Sequence, residues 1–408
     1  MNILLIHQNF PGQFRSLAPE LARAGHRLQA ISMRPAPTLA GVPNRCYALE
    51  RGNTQGIHPW LVNTESAVLR GQQVAREVQQ LQSNGFEPDV VLGHTGWGEM
   101  LCLREILPAA RIIGLNEMYY RAIGSDVGFD PEFPADAEAA ARLSVRNMHL
   151  TASLLACDVA ITPTEWQAST FPAALRKRIT VLHEGIRTDQ LRPDPNASVR
   201  VGNHILRSGD EVVTFVNRNL EPMRGYHQFM RALPGILRER PNARAVIVGG
   251  NDVSYGSRPP SGSSWQQIFL EEVRTDLDMR RVHFVGQVPY TDLIQLLQVS
   301  AGHVYLTAPF VLSWSMLEAM SVGALVIGSS TAPVREVITH GQNGMLVDFF
   351  QPAQIAEAVC DALARPKDYA ALRTAARQSV VDRFDFTTRS LPAYLRLVSE
   401  GISLTHRP

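Results

Sequence analysis

Short apolar runs alternate along the chain with segments of helical period. NILLIH at Asn2–His7 is continuously apolar and is bounded by the turn Pro11-Gly12, as expected of a strand buried on both faces of a parallel sheet. In QFRSLAPELARAGH, Phe14, Leu17, Leu21 and Ala22 recur at helical spacing, and Gly25 closes the helix. LQAIS reads as a second strand, and DVVLGH, RIIGLNEM, DVAITP and ITVLHEGI extend the series, with a helical GEMLCLREIL inside it. Strand, crossover and parallel strand follow one hand. The first half therefore predicts an open, mostly parallel α/β sheet.

A polar stretch rich in Pro, Asn, Asp and Gly, residues 187–210, has the composition of a linker. A second series follows it: EVVTFVN, ARAVIVGG, RVHFVG, AGHVYLT, GALVIGS and GMLVDF. The helical segments FMRALPGILRER, TDLIQLLQVS and MLEAMSVG separate these strands. The halves share no residue-level repeat. The expected organisation is α/β, with two Rossmann-like domains at 1–186 and 211–385 facing across a cleft. A C-terminal helix at 386–408 would pack back toward the first domain. Ligands of such sheets bind outside the carboxyl ends of the strands.

Composition narrows the function classes. The chain has 408 residues, 39 basic and 38 acidic, and a net charge of +1, so a nucleic-acid footprint is not expected. Cys46, Cys102, Cys157 and Cys360 lie far apart, which suggests buried reduced thiols and no metal cluster. The start lacks a basic n-region and a small-residue cleavage site, and no apolar run reaches the roughly 20 residues needed to span a bilayer. A cytoplasmic protein is expected, with transient contact at the inner membrane face left open.

Several candidate sites follow. HQNFPGQFRS has Gly12 as its single glycine where a dinucleotide turn needs three, so NAD is not expected. Arg218 leaves a strand end and Arg224 precedes a helix, with Glu221-Pro222 turning between them. Two guanidiniums at that edge suit a diphosphate, although solvated loop arginines would read the same way. Ser313–Ser315 opens a helix whose N–H groups face a phosphate favourably, and Glu318 on its first turns could accept a ribose diol. Asp276-Leu277-Asp278 spells a metal-binding Asp-x-Asp. It reads as part of a helix, where residues two apart do not face each other, so no metal is expected.

SWSMLEAMSVGALVIGSSTAPVREVITHGQNGMLV resembles the nucleotide-sugar signature of retaining family 4 glycosyltransferases with the GT-B fold. NRNLEPMRG resembles that family's diphosphate clamp, HQNFPGQFRSLAPELARAGH its N-terminal glycine loop, and HEGI the end of its first domain. The resemblance implies a nucleoside-diphosphate-sugar donor, an α-configured product and no cofactor. Arg218 and Arg224 would hold the diphosphate, Glu318 the ribose, and Ser313, Trp314 and Ser315 the phosphates or sugar. Gly12 and Gln13 would approach the donor from the first domain, and the base would lie near Gln287 and Val288.

This chain departs from the family pattern at two places. Phe310 stands where the family has a carboxylate that touches the transferred sugar, and an aromatic ring there could stack on it. Arg224 replaces the clamp's lysine, with one extra residue in the turn. In the first half, His94 and Glu117 at strand ends are the candidates to contact the sugar or stabilise positive charge. The loops 124–136 and 251–265, the second containing Tyr255, are candidate lips. The function expected is sugar transfer to a glycan, lipid-linked or protein acceptor. A nucleotide-sugar epimerase and a non-catalytic binding subunit are the alternatives.

Overall fold

The structure is a computed structural model that describes residues 1–35, 39 and 41–400. It divides into two units: Met1–Val127 with Ala135–Gly185 and the segment from Phe386, and Gly128–Pro134 with Ile186–Asp385.

The first unit is built on one parallel sheet. Its strands are β1 (Asn2–Ile6), β2 (Arg27–Ser32), β3 (Asn44–Cys46), β4 (Val90–His94), β5 (Arg111–Leu115), β6 (Val159–Thr162) and β7 (Ile179–Val181), in the order β3-β2-β1-β4-β5-β6-β7. Alternate residues of the apolar runs go to opposite faces. Ile3, Leu5 and Leu92 pack with Leu17 and Leu21 of the helix Leu17–Arg23, while Leu4, Ile6 and Val91 pack with Val74 and Val78 of the helix Val62–Ser83. The sequence marked the strands because both faces are buried.

The second unit opens with a hairpin, β8 (Ser198–Val201) and β9 (His204–Arg207). Its sheet contains β10 (Val212–Asn219), β11 (Arg244–Gly250), β12 (Val282–Gly286), β13 (Gly302–Tyr305), β14 (Val326–Ser329) and β15 (Met345–Val347), in the order β12-β11-β10-β13-β14-β15. In each unit the order reverses beside the first long strand, between β1 and β4 and between β10 and β13, which opens a crevice at the carboxyl edge.

Four expectations are corrected. Residues 187–210 are not a linker. Leu191, Ala197, Val201 and Leu206 are buried in the second unit's core, and the hairpin turns at Gly202-Asn203 with Gly202 at φ +55°. The period-two alternation of β8 and β9 outweighs their loop-like composition. Within the loop 124–136, Gly128–Pro134 belongs to the second unit as a strap. Phe129 packs 5.1 Å from Phe349, and Phe133 packs 5.3 Å from Trp265. Beside them Asp130 lies 2.9 Å from His227 Nε2, and Glu132 takes a two-pronged bond from Arg231. Asp276 and Asp278 lie on two short 3-10 turns instead of a helix, and Asp278 bonds both Arg280 and Arg281. Cys157 and Cys360 are buried free thiols, but Cys46, on the edge strand β3, is exposed.

From Phe386 the chain returns to the first unit. Phe386, together with Tyr394 and Val398 on the helix Leu391–Ser399, joins the core around Leu17. Residues 401–408 of the expected terminal helix lie outside the described residues.

His303 on β13 is fully buried, with Nδ1 2.9 Å from the Thr214 hydroxyl, and burial lowers its pKa to about 4. Because the folded value lies below the unfolded one, its contribution is complete above pH 6.5 and is lost as pH falls toward 4. Urea unfolding from pH 7 to 4 should show stability falling by about 1.4 kcal/mol per pH unit for each such histidine. The decline should be shallower in His303→Gln.

Candidate functional site

In the second unit the turn after β10 delivers Arg224 into the structure, while Arg218, near the end of β10, is exposed. The reversal needs Gly225, at φ +70°, where a Cβ would meet Leu306 at 2.3 Å. Arg224 Nη1 donates to Thr307 Oγ1 at 2.8 Å and to the Val311 carbonyl at 3.0 Å. Both bonds leave from one nitrogen of a five-donor fork. The guanidinium lies 5.1 Å from the Tyr255 ring and 5.3 Å from the Phe310 ring, and the two rings lie 5.0 Å apart. Cation–π contact therefore supports a positive charge that burial would otherwise penalise. Phe310 is 5% exposed and is part of this wall.

Glu221 organises the loop above. Its Oε2 accepts from the backbone N–H groups of Ser254, Tyr255 and Gly256, each at 3.2 Å, while Asn219 Nδ2 donates to Ser254 Oγ at 2.7 Å. Tyr255 is thus held on Arg224 by a carboxylate that the sequence presented only as part of a turn.

The helix Trp314–Ser321 starts at the same edge. Ser313 caps it by accepting from the Ser315 N–H, and its own N–H donates to the Tyr305 hydroxyl at 2.8 Å. Burial raises the Tyr305 phenol's pKa, against the nearby Arg224 charge. Glu318, inside the helix and 4% exposed, accepts from the Tyr290 hydroxyl at 2.7 Å. Gln287 is exposed just beyond β12, and Val288 packs on the core beside it. The sequence-predicted residues of this half thus lie around the carboxyl ends of β10, β12 and β13.

In the first unit, His94 and Glu117 come together with Nε2 and Oε2 3.3 Å apart. They belong to a larger cluster. Gln13 Nε2 donates to Glu117 Oε1 at 2.6 Å, and Gln13 Oε1 accepts from His7 Nε2 at 2.5 Å. The Asn9 N–H donates to His7 Nδ1 and the Gly96 N–H donates to His94 Nδ1, so each ring carries its proton on Nε2. Burial lowers the His7 pKa to about 3. Burial opposes ionisation of Glu117, but His94, His7 and the Gln13 bond outweigh it and hold the carboxyl below its usual range. Gly12, at φ +44°, is required by this packing, because a Cβ there would lie 2.2 Å from the His7 ring.

Sequence reasoning found His94, Gln13 and Glu117 but missed His7 and Trp97. Trp97 stacks on His94 at 4.1 Å. The available signal was a histidine directly after β1, facing Gln13 across the Pro11-Gly12 turn.

Among the described residues, Asp130, Glu132 and His227 are close enough together to suggest a metal site. Arg231 already holds Glu132, however, and a guanidinium disfavours a second cation there. No helix among the described residues is long and apolar enough to cross a membrane.

Two parallel-sheet units of Rossmann order, one carrying a buried arginine beside a capped helix start, define the GT-B class of α/β transferase fold. Residues 24–191 match the family model described as glycosyl transferase family 4 group, and residues 202–379 match that of glycosyl transferases group 1. The chain belongs to the family 4, group 1 glycosyltransferases. It is 26% identical over 291 residues to a GDP-mannose-dependent alpha-(1-6)-phosphatidylinositol monomannoside mannosyltransferase of Mycolicibacterium smegmatis, covering 69% of this chain and 70% of that one. It is 25% identical to a D-inositol 3-phosphate glycosyltransferase of Thermobispora bispora, where the match covers 57% of this chain and only 52% of the relative.

Among solved structures, sucrose-phosphate synthase of Thermosynechococcus elongatus shares the fold at TM-score 0.71 and 18% identity, over 97% of this chain and 98% of that one. HepE of Anabaena, in complex with UDP and glucose, does so at TM-score 0.65 and 17% identity, over 98% of this chain and 100% of that one.

Glu221→Ala should leave three backbone N–H groups without their acceptor, at a cost of about 1–3 kcal/mol. Thermal unfolding should register the loss, and limited proteolysis should cut near Tyr255 in the variant while sparing the parent.

Proposed function

We propose that this chain transfers a sugar from a nucleoside-diphosphate donor to an acceptor hydroxyl, with retention at the anomeric carbon and without a metal. The observation that carries the reading is the buried Arg224, fixed by Thr307 and Val311 beside the capped start of the helix that bears Glu318. A preorganised cation next to a helix N-terminus suits a diphosphate in the ground state and, more strongly, the charge that collects on it as it leaves. Exposed Arg218 adds a second cation, and Glu318 can exchange its Tyr290 partner for the hydroxyls of a ribose. The names of the relatives support the donor class: one depends on GDP-mannose, and HepE has been solved with UDP-glucose.

In the reaction the bond from the anomeric carbon to the diphosphate oxygen breaks, and the acceptor oxygen bonds on the same face. The acceptor's proton passes to the departing phosphate oxygen. The first unit's role is to bind the acceptor through Glu117, whose carboxylate is held ionised, with His94 and Gln13 fixing its orientation. Arginines supply the electrostatics assigned elsewhere to a divalent ion; Asp278 is committed to Arg280 and Arg281.

Thermal unfolding with UDP, GDP, ADP, dTDP and CDP, each with and without EDTA, tests the reading. One base should stabilise the protein by about 2.7 kcal/mol at one hundred times its Kd, regardless of EDTA. The shift should vanish in Arg224→Ala and require about tenfold more nucleotide in Glu318→Gln. Absence of any shift would overturn the donor clamp, and an epimerised donor in place of a glycosylated product would overturn the transfer.

A further inference from the structure

The loop after β4, Thr95–Glu99, is held more firmly than its glycine content suggests. Gly96 is bonded at both ends, its N–H to His94 Nδ1 at 3.0 Å and its carbonyl to His149 Nε2 at 3.2 Å. Arg70 bonds the Trp97 carbonyl at 3.1 Å, and Tyr47 bonds the fully buried Glu99 at 2.8 Å. Gly98, at φ +105°, passes so close to Ala67 that a Cβ would come within 2.3 Å of its backbone.

The result is a rigid mount for one side chain. The Trp97 indole stacks on His94 at 4.1 Å and 18°, His7 meets it edge-on at 5.2 Å, and it remains partly exposed. His94 in turn faces Glu117, which Gln13 also bonds. An aromatic surface on a well-anchored loop therefore stands at the carboxyl edge of the sheet, beside a carboxylate and an amide that are themselves partly exposed.

Resting on the transferase reading, we propose that Trp97 is the residue that selects the acceptor, and that the acceptor presents a neutral pyranose ring. A pyranose has an apolar face of C–H groups and a rim of hydroxyls. The face matches an indole, whose amphipathic ring offers large contact at little entropic cost, and the rim matches Glu117 and Gln13. The charge pattern excludes an anionic group at this position. The Glu117 carboxyl is held below its usual range, so a phosphate placed directly against it would meet a like charge.

The test uses the full chain labelled with 5-fluorotryptophan, in which the Trp97 resonance is identified by its loss in Trp97→Phe. The probes are the methyl α-pyranosides of glucose, mannose, galactose and N-acetylglucosamine, with myo-inositol 1-phosphate as the anionic comparison. At least one neutral pyranoside should shift the Trp97 resonance saturably, while inositol phosphate does not. By saturation-transfer NMR, Trp97→Ala should weaken that sugar at least tenfold, Trp97→Phe should recover most of the loss, and Glu117→Gln should weaken it without abolishing it.

A response to inositol phosphate alone, or to no pyranoside, would overturn the proposal. Stabilisation by a nucleoside diphosphate, measured on the same sample, separates the two failures. If it persists without a sugar response, the Trp97 assignment falls and the transferase reading stands. If it too is absent, the reading itself falls.

Discussion

A strand that is paired along both edges and covered on both faces can offer chemistry only at its ends. That constraint governs both units, because β1, β4, β10 and β13 are internal strands of parallel sheets whose residues are almost wholly buried. The polar side chains of the proposed site, among them His94 and Glu117 in one unit and Arg218 and Arg224 in the other, lie at or just beyond strand ends. The reversal of strand order then separates the connections that leave the middle of each sheet, so that side chains rather than crossing backbone fill the gap.

Placing charge at such an edge creates a second problem, since each of these groups except the exposed Arg218 is partly or wholly withdrawn from water. The two units solve it differently. Around Arg224 the answer is a hydroxyl, a carbonyl and two aromatic faces, with Glu221 holding one of those faces through three backbone N–H groups. Around Glu117 it is a line of ring and amide N–H donors, with each ring's Nδ1 taken by a backbone N–H on the far side. In both places the supporting groups are as specific as the charged ones, and a charge without them would be unstable there.

The strands were legible because burial on both faces leaves a continuous apolar run, and most residues of the proposed donor site stood out because they fall in two short motifs, Arg218–Arg224 and Phe310–Glu318. Much of the rest was not. His7 with Gln13, Trp97 and Glu117 come from three separate segments, and no spacing rule connects a histidine after β1 with a glutamate after β5. Glu221 looked like part of a turn because its role is to bind backbone, which carries no side-chain signature. The hairpin β8–β9 was hidden by its Pro, Asn and Gly content, although its alternation was present. The strap's Phe129 and Phe133 were hidden by the acidic residues around them.

The strap also sets the order in which the polypeptide can complete itself during synthesis. Gly128–Pro134 leaves the ribosome well before Trp265 and Phe349, the surfaces on which it docks. At about 5–20 residues per second, roughly 200 residues of further translation amount to tens of seconds. During that interval two phenylalanines have no partner, and the first sheet also lacks the helix Leu391–Ser399 that covers one of its faces. The first unit cannot finish before the second has been made, so the nascent chain carries unsatisfied apolar surface until Leu391–Ser399 has emerged.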